Sequence, residues 1–347
     1  PVIWHPSARP DLPIRLDDMG FLGVGMFFVL SGYLIVTLLL RERDSTGEIS
    51  LKDYYARRTI RIFPIYYLML AALGVYYAVL KPGSPELQTY LNELPYYLTY
   101  TSNWIHTETP NQGILWSLAT EEQFYIFWPL IEKLLRPRWA LGVLFAVIGV
   151  NQLVNFGVTD AFFAKHFGES FNTLSVTEST FTPIALGVLL AHVLHHKRSF
   201  NVMYGLLASK WSSAVALLAL LGFIELTSGD ISGWQRLMIH ILMVVMLASL
   251  VVRENHVLRR VLTLKIVVRL GAISYGMYLY HMWCAHFARE GYRAAGLPAE
   301  LSQWIMPVLN TLVTTIVAEM SFRIVEAPIL KLKKRFATGR HLKRGDR

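Results

Sequence analysis

Long charge-free apolar runs set the pattern of this chain. Gly20 to Leu40, Ile62 to Leu80 and Trp139 to Val158 each proceed for about 20 residues without a charged side chain, the length at which an α-helix crosses a hydrocarbon core. A soluble helix of that length carries a polar face, and these do not. The pattern predicts nine complete spans, over 20–40, 62–80, 114–131, 139–158, 174–194, 211–226, 237–252, 270–288 and 303–322. Pro1 and the short run Val2-Ile3-Trp4 ahead of His5 read as the tail of a truncated first span, without the basic region or cleavage site of a signal peptide. The expected fold is therefore all-α, a polytopic transmembrane helix bundle of about ten helices. No internal repeat or low-complexity linker divides it, so residues 1–347 read as one domain ending in a basic tail, 323–347.

Residues 88–105 break the pattern, because Glu93 and Pro95 interrupt a short aromatic run. Charge arbitrates. If this stretch does not span, the loops 41–61, 132–138, 195–210, 253–269 and 323–347 share one face and hold 6, 3, 3, 5 and 9 Lys or Arg, which is 26 of the 33. If it spans, every later loop changes sides and the basic loops divide between the two faces. The positive-inside rule favours a re-entrant or interfacial segment, with both termini cytoplasmic.

Composition agrees with lipid as the solvent: 54% of residues are hydrophobic and 16% charged, against roughly 25% charged in soluble domains. The net charge of +9 does not point to nucleic acid, since the basic residues sit in short blocks between apolar runs. The single cysteine, Cys284, excludes a disulfide framework and a thiolate metal cluster.

Several polar groups interrupt the apolar runs. The span 114–131 contains Trp116-Ser117-Leu118-Ala119-Thr120-Glu121-Glu122-Gln123-Phe124-Tyr125. A carboxylate at mid-bilayer costs about 2.5–3.5 kcal/mol on insertion scales, so such residues face a cavity or a partner. Ser117, Glu121 and Tyr125 recur every fourth residue and form one polar stripe, while Glu122 points about 100° away. Helix-packing hydrogen bonds are the plainer reading. Arg58 and Arg61, three apart at the head of the span beginning Ile62-Phe63-Pro64, share a helix face. They suit a phosphate-bearing ligand, with lipid head groups as the simpler occupant. His5 can accept a proton near neutral pH, as a general base must, or merely cap the backbone. Ser274, Tyr278 and His281 line one face of span 270–288, where an aromatic packing stripe is the alternative. Glu319 is a further buried-acid candidate, and His240, Glu178 and His106 are weaker ones. No Gly-rich phosphate loop, HExxH signature or GxSxG elbow occurs.

At these residues the sequence resembles the integral-membrane acyltransferase type 3 family, whose members O-acylate polysaccharide, peptidoglycan, lipid or antibiotic hydroxyls. Gly23 through Ile35, Arg57 through Pro64 with Tyr66, Trp116 through Pro129 and Ser274 through His281 carry the match in order, and Val325-Glu326-Ala327-Pro328 resembles the family's ending. The resemblance implies ten core helices in the bacterial cytoplasmic membrane. It also implies an acyl-coenzyme A donor, acetyl-coenzyme A foremost, bound from the cytoplasm, and an outward-facing carbohydrate or lipid-linked hydroxyl acceptor, without a metal. The family's essential first-helix histidine matches His5, its paired arginines match Arg58 and Arg61, and its acid matches Glu121 or the adjacent Glu122. The family's basic residue about ten positions before that histidine would precede Pro1. Many members carry a further extracytoplasmic domain where this chain has its basic tail.

These expectations combine into acyl transfer in a polar cavity. Arg58 and Arg61 hold coenzyme A phosphates, His5 deprotonates the acceptor or carries the acyl group, and Glu121 orients His5. Ser117, Tyr125, Tyr278 and His281 line the cavity. A transporter or flippase of a small anionic or acylated substrate is the competing class. It favours inverted repeats and broken helices, which the sequence lacks.

Overall fold

The computed structural model describes residues 18–105, 107–167, 181–227 and 233–332, and all regular structure among them is helical. Chain order runs α1 (Asp18–Thr46), α2 (Leu51–Leu80), α3 (Pro85–Leu98), a 3₁₀ turn Ser102–Trp104, α4 (Leu115–Leu134), α5 (Pro137–Asn155) and α6 (Asp160–Phe167). There follow α7 (Thr182–His195), α8 (Lys197–Leu207), α9 (Ser212–Leu226), α10 (Gly233–Val252), α11 (Arg259–Leu262), α12 (Lys265–Ala294), α13 (Ala299–Ser321), a π-turn Phe322–Glu326 and α14 (Ala327–Leu330). Each of the nine expected complete spans overlaps one of these helices within the described residues, outside which 174–180 of the expected span 174–194 lie. Five segments are long and apolar enough to cross a membrane by length and composition: Leu22–Thr46, Leu51–Leu80, Pro137–Asn155, Gly233–Val252 and Trp304–Leu330. A sixth arises if α8 and α9, bent by 75° at their junction, count as one span. Leu38, Val79, Phe127 and Leu218 are among the many large apolar side chains left exposed on these helices, a surface suited to lipid rather than water.

The described chain forms two compact units. The first comprises residues up to Ile49, Thr99–His106 and Leu115–Arg260. Here α1 packs against α7, α10 and α4, and α5 packs against α7. Small residues set the closest approach. A Cβ built on Gly32 of α1 would fall on the carbonyl oxygen of Ile184, and one on Gly187 of α7 would fall on that of Val29. The two backbones therefore touch, which glycine permits in lipid-exposed bundles. α1 ends at Gly47, whose φ of +81° lets its amide return to the Arg43 carbonyl at 2.9 Å, the left-handed C-terminal cap that glycine adopts without strain.

Polar residues on the apolar α5 serve its neighbours. Asn151 Oδ1 accepts from the Phe181 amide at 2.7 Å, Gln152 Nε2 donates to Thr182 Oγ1 at 2.9 Å, and Asn155 Nδ2 donates to the Gly233 carbonyl at 2.7 Å. The entries to α7 and α10 are thus tied to α5, where bare amides in lipid would be costly.

The second unit comprises Ser50–Leu98, Thr107–Ile114 and Val261 onward. α2 starts eleven residues before the expected span (Leu51 rather than 62), with the Ser50 hydroxyl capping Asp53 N. Charged residues 52–61 are helical but not apolar, so hydropathy alone starts the element late. Segment 88–105 yields α3, a 14-residue helix of about 21 Å, shorter than a hydrocarbon core of about 30 Å. Its last carbonyls are capped from α2: Tyr66 and Tyr67 hydroxyls donate to Tyr97 and Leu98 oxygens at 2.9 Å each. Glu93 is buried and accepts from Tyr97 Oη (2.5 Å), Thr109 Oγ1 (2.5 Å), Glu108 N (2.6 Å) and Thr109 N (3.2 Å). This charge pins the loop after residue 106 to α3. Elsewhere α12 packs on α13 and on α2, and the buried Cys284 lies in α12.

Two expected boundaries shift. The loop expected at 195–210 contains α8, whose Lys197 and Arg198 keep it from reading as an apolar run. The last span, expected to stop near 322, continues through the π-turn to Leu330.

Candidate functional site

α4 buries a cluster of polar side chains, Ser117, Thr120, Glu121, Glu122 and Glu132. Ser117, Glu121, Tyr125, Trp128 and Glu132 follow one another along one side, and all five are buried, as is Glu122. The Tyr125 hydroxyl donates to Glu121 Oε1 at 2.6 Å. The same phenol oxygen is hydrogen-bonded to Ser31 Oγ on α1. Since the phenol has one proton and gives it to the carboxylate, the serine donates to the phenol. The chain Ser31–Tyr125–Glu121 is thereby polarised toward the acid, the direction that strengthens each link.

Two motif segments are thus joined within one unit, Gly23–Ile35 through Ser31 and Trp116–Pro129 through Tyr125. Phe28 meets Trp116 edge-on, with ring centroids 6.0 Å apart, across the same contact. Gln123 faces elsewhere and ties down the 3₁₀ turn: its Nε2 donates to Tyr100 O (2.8 Å) and Asn103 Oδ1 (2.7 Å). Sequence reasoning passed over Ser31, because one serine in an apolar helix ordinarily bonds its own backbone.

It also missed a second acid. Glu132 sits on the last full turn of α4, where a loop was expected. Its Oε1 accepts from His192 Nε2 of α7 at 2.8 Å and from Trp128 Nε1 at 3.1 Å. Arg43 Nη1 lies 3.8 Å from Oε2.

The second unit holds the other candidates. Arg58 and Arg61 share a face of α2, Arg58 half-buried and Arg61 exposed. Just beyond them, Tyr275 of α12 donates to the Ile62 carbonyl at 3.2 Å. One turn on, Tyr278 donates to the Ile114 carbonyl at 2.9 Å. His281 Nδ1 lies 2.6 Å from the Tyr278 carbonyl, a contact that requires a proton on Nδ1 and leaves Nε2 of the neutral ring as a base. Glu326, at the end of the π-turn, is buried and within electrostatic reach of Arg61. A Cβ at Gly276 would come into ordinary contact with Glu326 Oε1, at 3.5 Å. That acid belongs to the Val325–Pro328 segment, whose sequence alone suggests no chemistry for it.

Glu319, expected as a buried acid without a named partner, has two. Arg269 Nε and Nη2 grip both its oxygens at 2.8 Å and Arg323 Nε adds a third bond at 2.5 Å, so it is a paired surface charge. His240 is buried on α10. His5, His106 and Glu178 lie outside the described residues. Among the described residues no three His, Cys, Asp or Glu side chains converge as a metal site.

The family model described as an acyltransferase domain matches residues 2–321, and the chain belongs to that family, acyltransferase type 3. One relative, from Staphylococcus aureus strain COL, bears the name "Putative O-acetyltransferase" and is 30% identical over 334 residues, 90% of this chain and 53% of that protein. Another, the O-acetyltransferase OatA of Staphylococcus aureus strain NCTC 8325, is 27% identical over 333 residues, again 90% of this chain and 53% of its own length. The chain spans about half the length of the curated relatives it matches. No solved structure matches it.

Proposed function

We propose that this protein is a membrane O-acyltransferase that moves an acyl group, acetyl foremost, from cytoplasmic acyl-coenzyme A to a hydroxyl of a carbohydrate or other envelope acceptor. The observation that carries the reading is the buried Ser31–Tyr125–Glu121 chain inside an apolar helix of a family member. An acid so costly to bury, accepting from a phenol that a serine hydroxyl backs in turn, is poised to steady a positive charge. In the proposed reaction the acceptor oxygen attacks the thioester carbonyl, the C–O bond forms and the C–S bond breaks. His5 takes the hydroxyl proton and returns it to the departing thiolate, giving an ester and free coenzyme A. Glu121 stabilises the imidazolium in between, with Glu122 as the adjacent acid. Arg58 and Arg61 hold the donor phosphates bidentately, as guanidinium suits, and Ser117, Tyr278 and His281 line the cavity.

Purified protein in lipid nanodiscs, given labelled acetyl-coenzyme A and a glycan acceptor, tests this. Acceptor-dependent release of coenzyme A is expected, reduced roughly 10²–10⁴-fold in His5→Ala. A stably inserted His5→Ala protein acting at the wild-type rate would overturn the base assignment. Substrate flux across sealed vesicles without acceptor-dependent release would replace the enzyme reading with a transporter.

A further inference from the structure

α8 is a helix of 11 residues with none fully buried, and it belongs to neither the Glu121 chain nor the arginine face of α2. Hydrogen bonds fix both its ends. In its first turn Ser199 Oγ donates to the Val193 carbonyl of α7 at 2.5 Å. At its other end the chain bends by 75° into α9, and that corner is stapled to the residues just past α10. Arg253 Nη1 donates to the Ala208 carbonyl, and the Val257 amide donates to the Lys210 carbonyl at 3.0 Å. Between these ties α8 packs on α7 and α10.

The ties set its depth. Gly233–Val252 is long and apolar enough to cross a membrane by itself, and Arg253 is the first residue beyond it. A corner bonded to Arg253 is therefore level with the end of a span. Trp211, 55% exposed at the head of α9, has Lys210 Nζ 5.8 Å from its ring centroid. Trp139, exposed at the head of α5, has the Arg138 guanidinium at 5.7 Å. Exposed tryptophans beside cations at helix starts mark a membrane–water interface.

The faces of α8 match that level. Lys197, Arg198, Asn201 and Gly205 fill one arc of about 100°. Phe200, Met203 and Leu207 form the half-buried side. Val202 and Leu206, one turn apart on the flank between, stay 63% and 72% exposed. No acid occurs from His195 to Trp211, and the stapled stretch 253–260 adds Arg253, Arg259 and Arg260 against Glu254 alone. Asp44 is engaged by His195, at 3.2 Å. Lys197, Arg198 and Lys210 make no ion pair among the described residues. A bare apolar flank beside uncompensated cations suits the surface of an anionic bilayer.

We propose that α8 lies in the plane of the membrane, on the face expected to be cytoplasmic, with Val202 and Leu206 among acyl chains and Lys197, Arg198 and Lys210 on the phosphates of anionic phospholipids.

The test places the whole chain in phosphatidylcholine nanodiscs, with a genetically encoded fluorescent residue in place of Leu206 or of Asn201. A nitroxide on a shallow acyl carbon should quench position 206 more than 201, and aqueous iodide should reverse that order. At equal mole fraction, nitroxide-bearing phosphatidylglycerol should quench position 206 as if enriched roughly fivefold over nitroxide-bearing phosphatidylcholine, the weight of one basic residue at an anionic surface. The triple variant Lys197→Gln, Arg198→Gln, Lys210→Gln should bring that ratio to one. Its melting curve in detergent should match the wild type, since all three side chains are exposed, which separates lost lipid binding from lost folding. Equal iodide quenching at both positions would put α8 in water and overturn the proposal. Stronger quenching of position 206 from the bilayer centre than from the shallow carbon would do the same, making α8 part of a span. Shielding of 206 only in discs that hold two chains would give the flank to a second copy instead. A phosphatidylglycerol ratio unchanged in the triple variant would overturn the phosphate contact. Acyl-transfer activity does not enter these readouts, so they stand or fall apart from the enzymatic reading.

Discussion

Replacing Gly32 with alanine should damage this protein more than any other single-methyl addition to α1. The added Cβ would occupy the position of the Ile184 carbonyl oxygen and come within 3.0 Å of its carbon and 3.2 Å of Val188 N. All three are backbone atoms, so no side chain can rotate away and the helices must separate. Overpacking a rigid core costs about 1–3 kcal/mol. Opening a seam by 0.5–1 Å forfeits a further quarter to half of each dispersion contact along it. A loss of about 3 kcal/mol follows, a shift of about 4 °C in the unfolding midpoint for a chain of this size. Because Ser31 adjoins Gly32, the hydrogen bond to Tyr125 should loosen as well. Detergent thermal unfolding followed by size-exclusion fluorescence reads the effect, with Gly142→Ala as the control, since nothing lies within 4 Å of its added carbon. Gly187→Ala strikes the same seam from the other side, so the double variant should cost much less than the two singles added. A Gly32→Ala protein that melts with the wild type, or fully additive singles, would refute the reciprocal-contact reasoning.

Glu121→Gln should lower acyl transfer roughly 10²–10⁴-fold with an unchanged melting curve, and Tyr125→Phe about tenfold, the weight of one hydrogen bond to a charged acceptor; steady-state kinetics on nanodiscs distinguishes them. Glu93→Ala strands two amides and two hydroxyls, so protection of residues 107–112 should fall by about 3 kcal/mol, seen as roughly hundredfold faster hydrogen exchange. Arg61→Ala should raise KM for acetyl-coenzyme A with little change in kcat, and Arg58→Lys should not behave as wild type because ammonium lacks the two-pronged grip on phosphate; initial rates across donor concentration check both.

The elements were legible where one force dominated. Charge-free runs of about 20 residues located helices because lipid leaves the backbone no alternative, and Pro95 with Glu93 marked α3 as too short and too polar to continue the pattern. The stripe Ser117–Glu121–Tyr125 was readable because fourfold spacing is a property of the helix itself. What escaped depended on partners far apart in sequence. Nothing near Ser31 announces a tyrosine 94 positions on, and the glycine pair at 32 and 187 means something only once the helices cross. Glu132 was assigned to a loop because hydropathy falls before the helix stops, and its histidine lies on α7. Glu319 looked like a buried acid because its pairing arginines, at 269 and 323, stood in segments taken for basic loops.

The solitary thiol of Cys284, enclosed within the packing of α12, makes this protein a ready background for site-directed labelling. A sulfhydryl introduced by Pro82→Cys or Ser209→Cys, both at exposed positions, would be the one group within reach of a maleimide that cannot enter sealed vesicles. The positive-inside rule predicts opposite sides for those two positions, so each should be modified from one compartment only. Burial of a small side chain thereby converts membrane sidedness into a mobility shift on a gel.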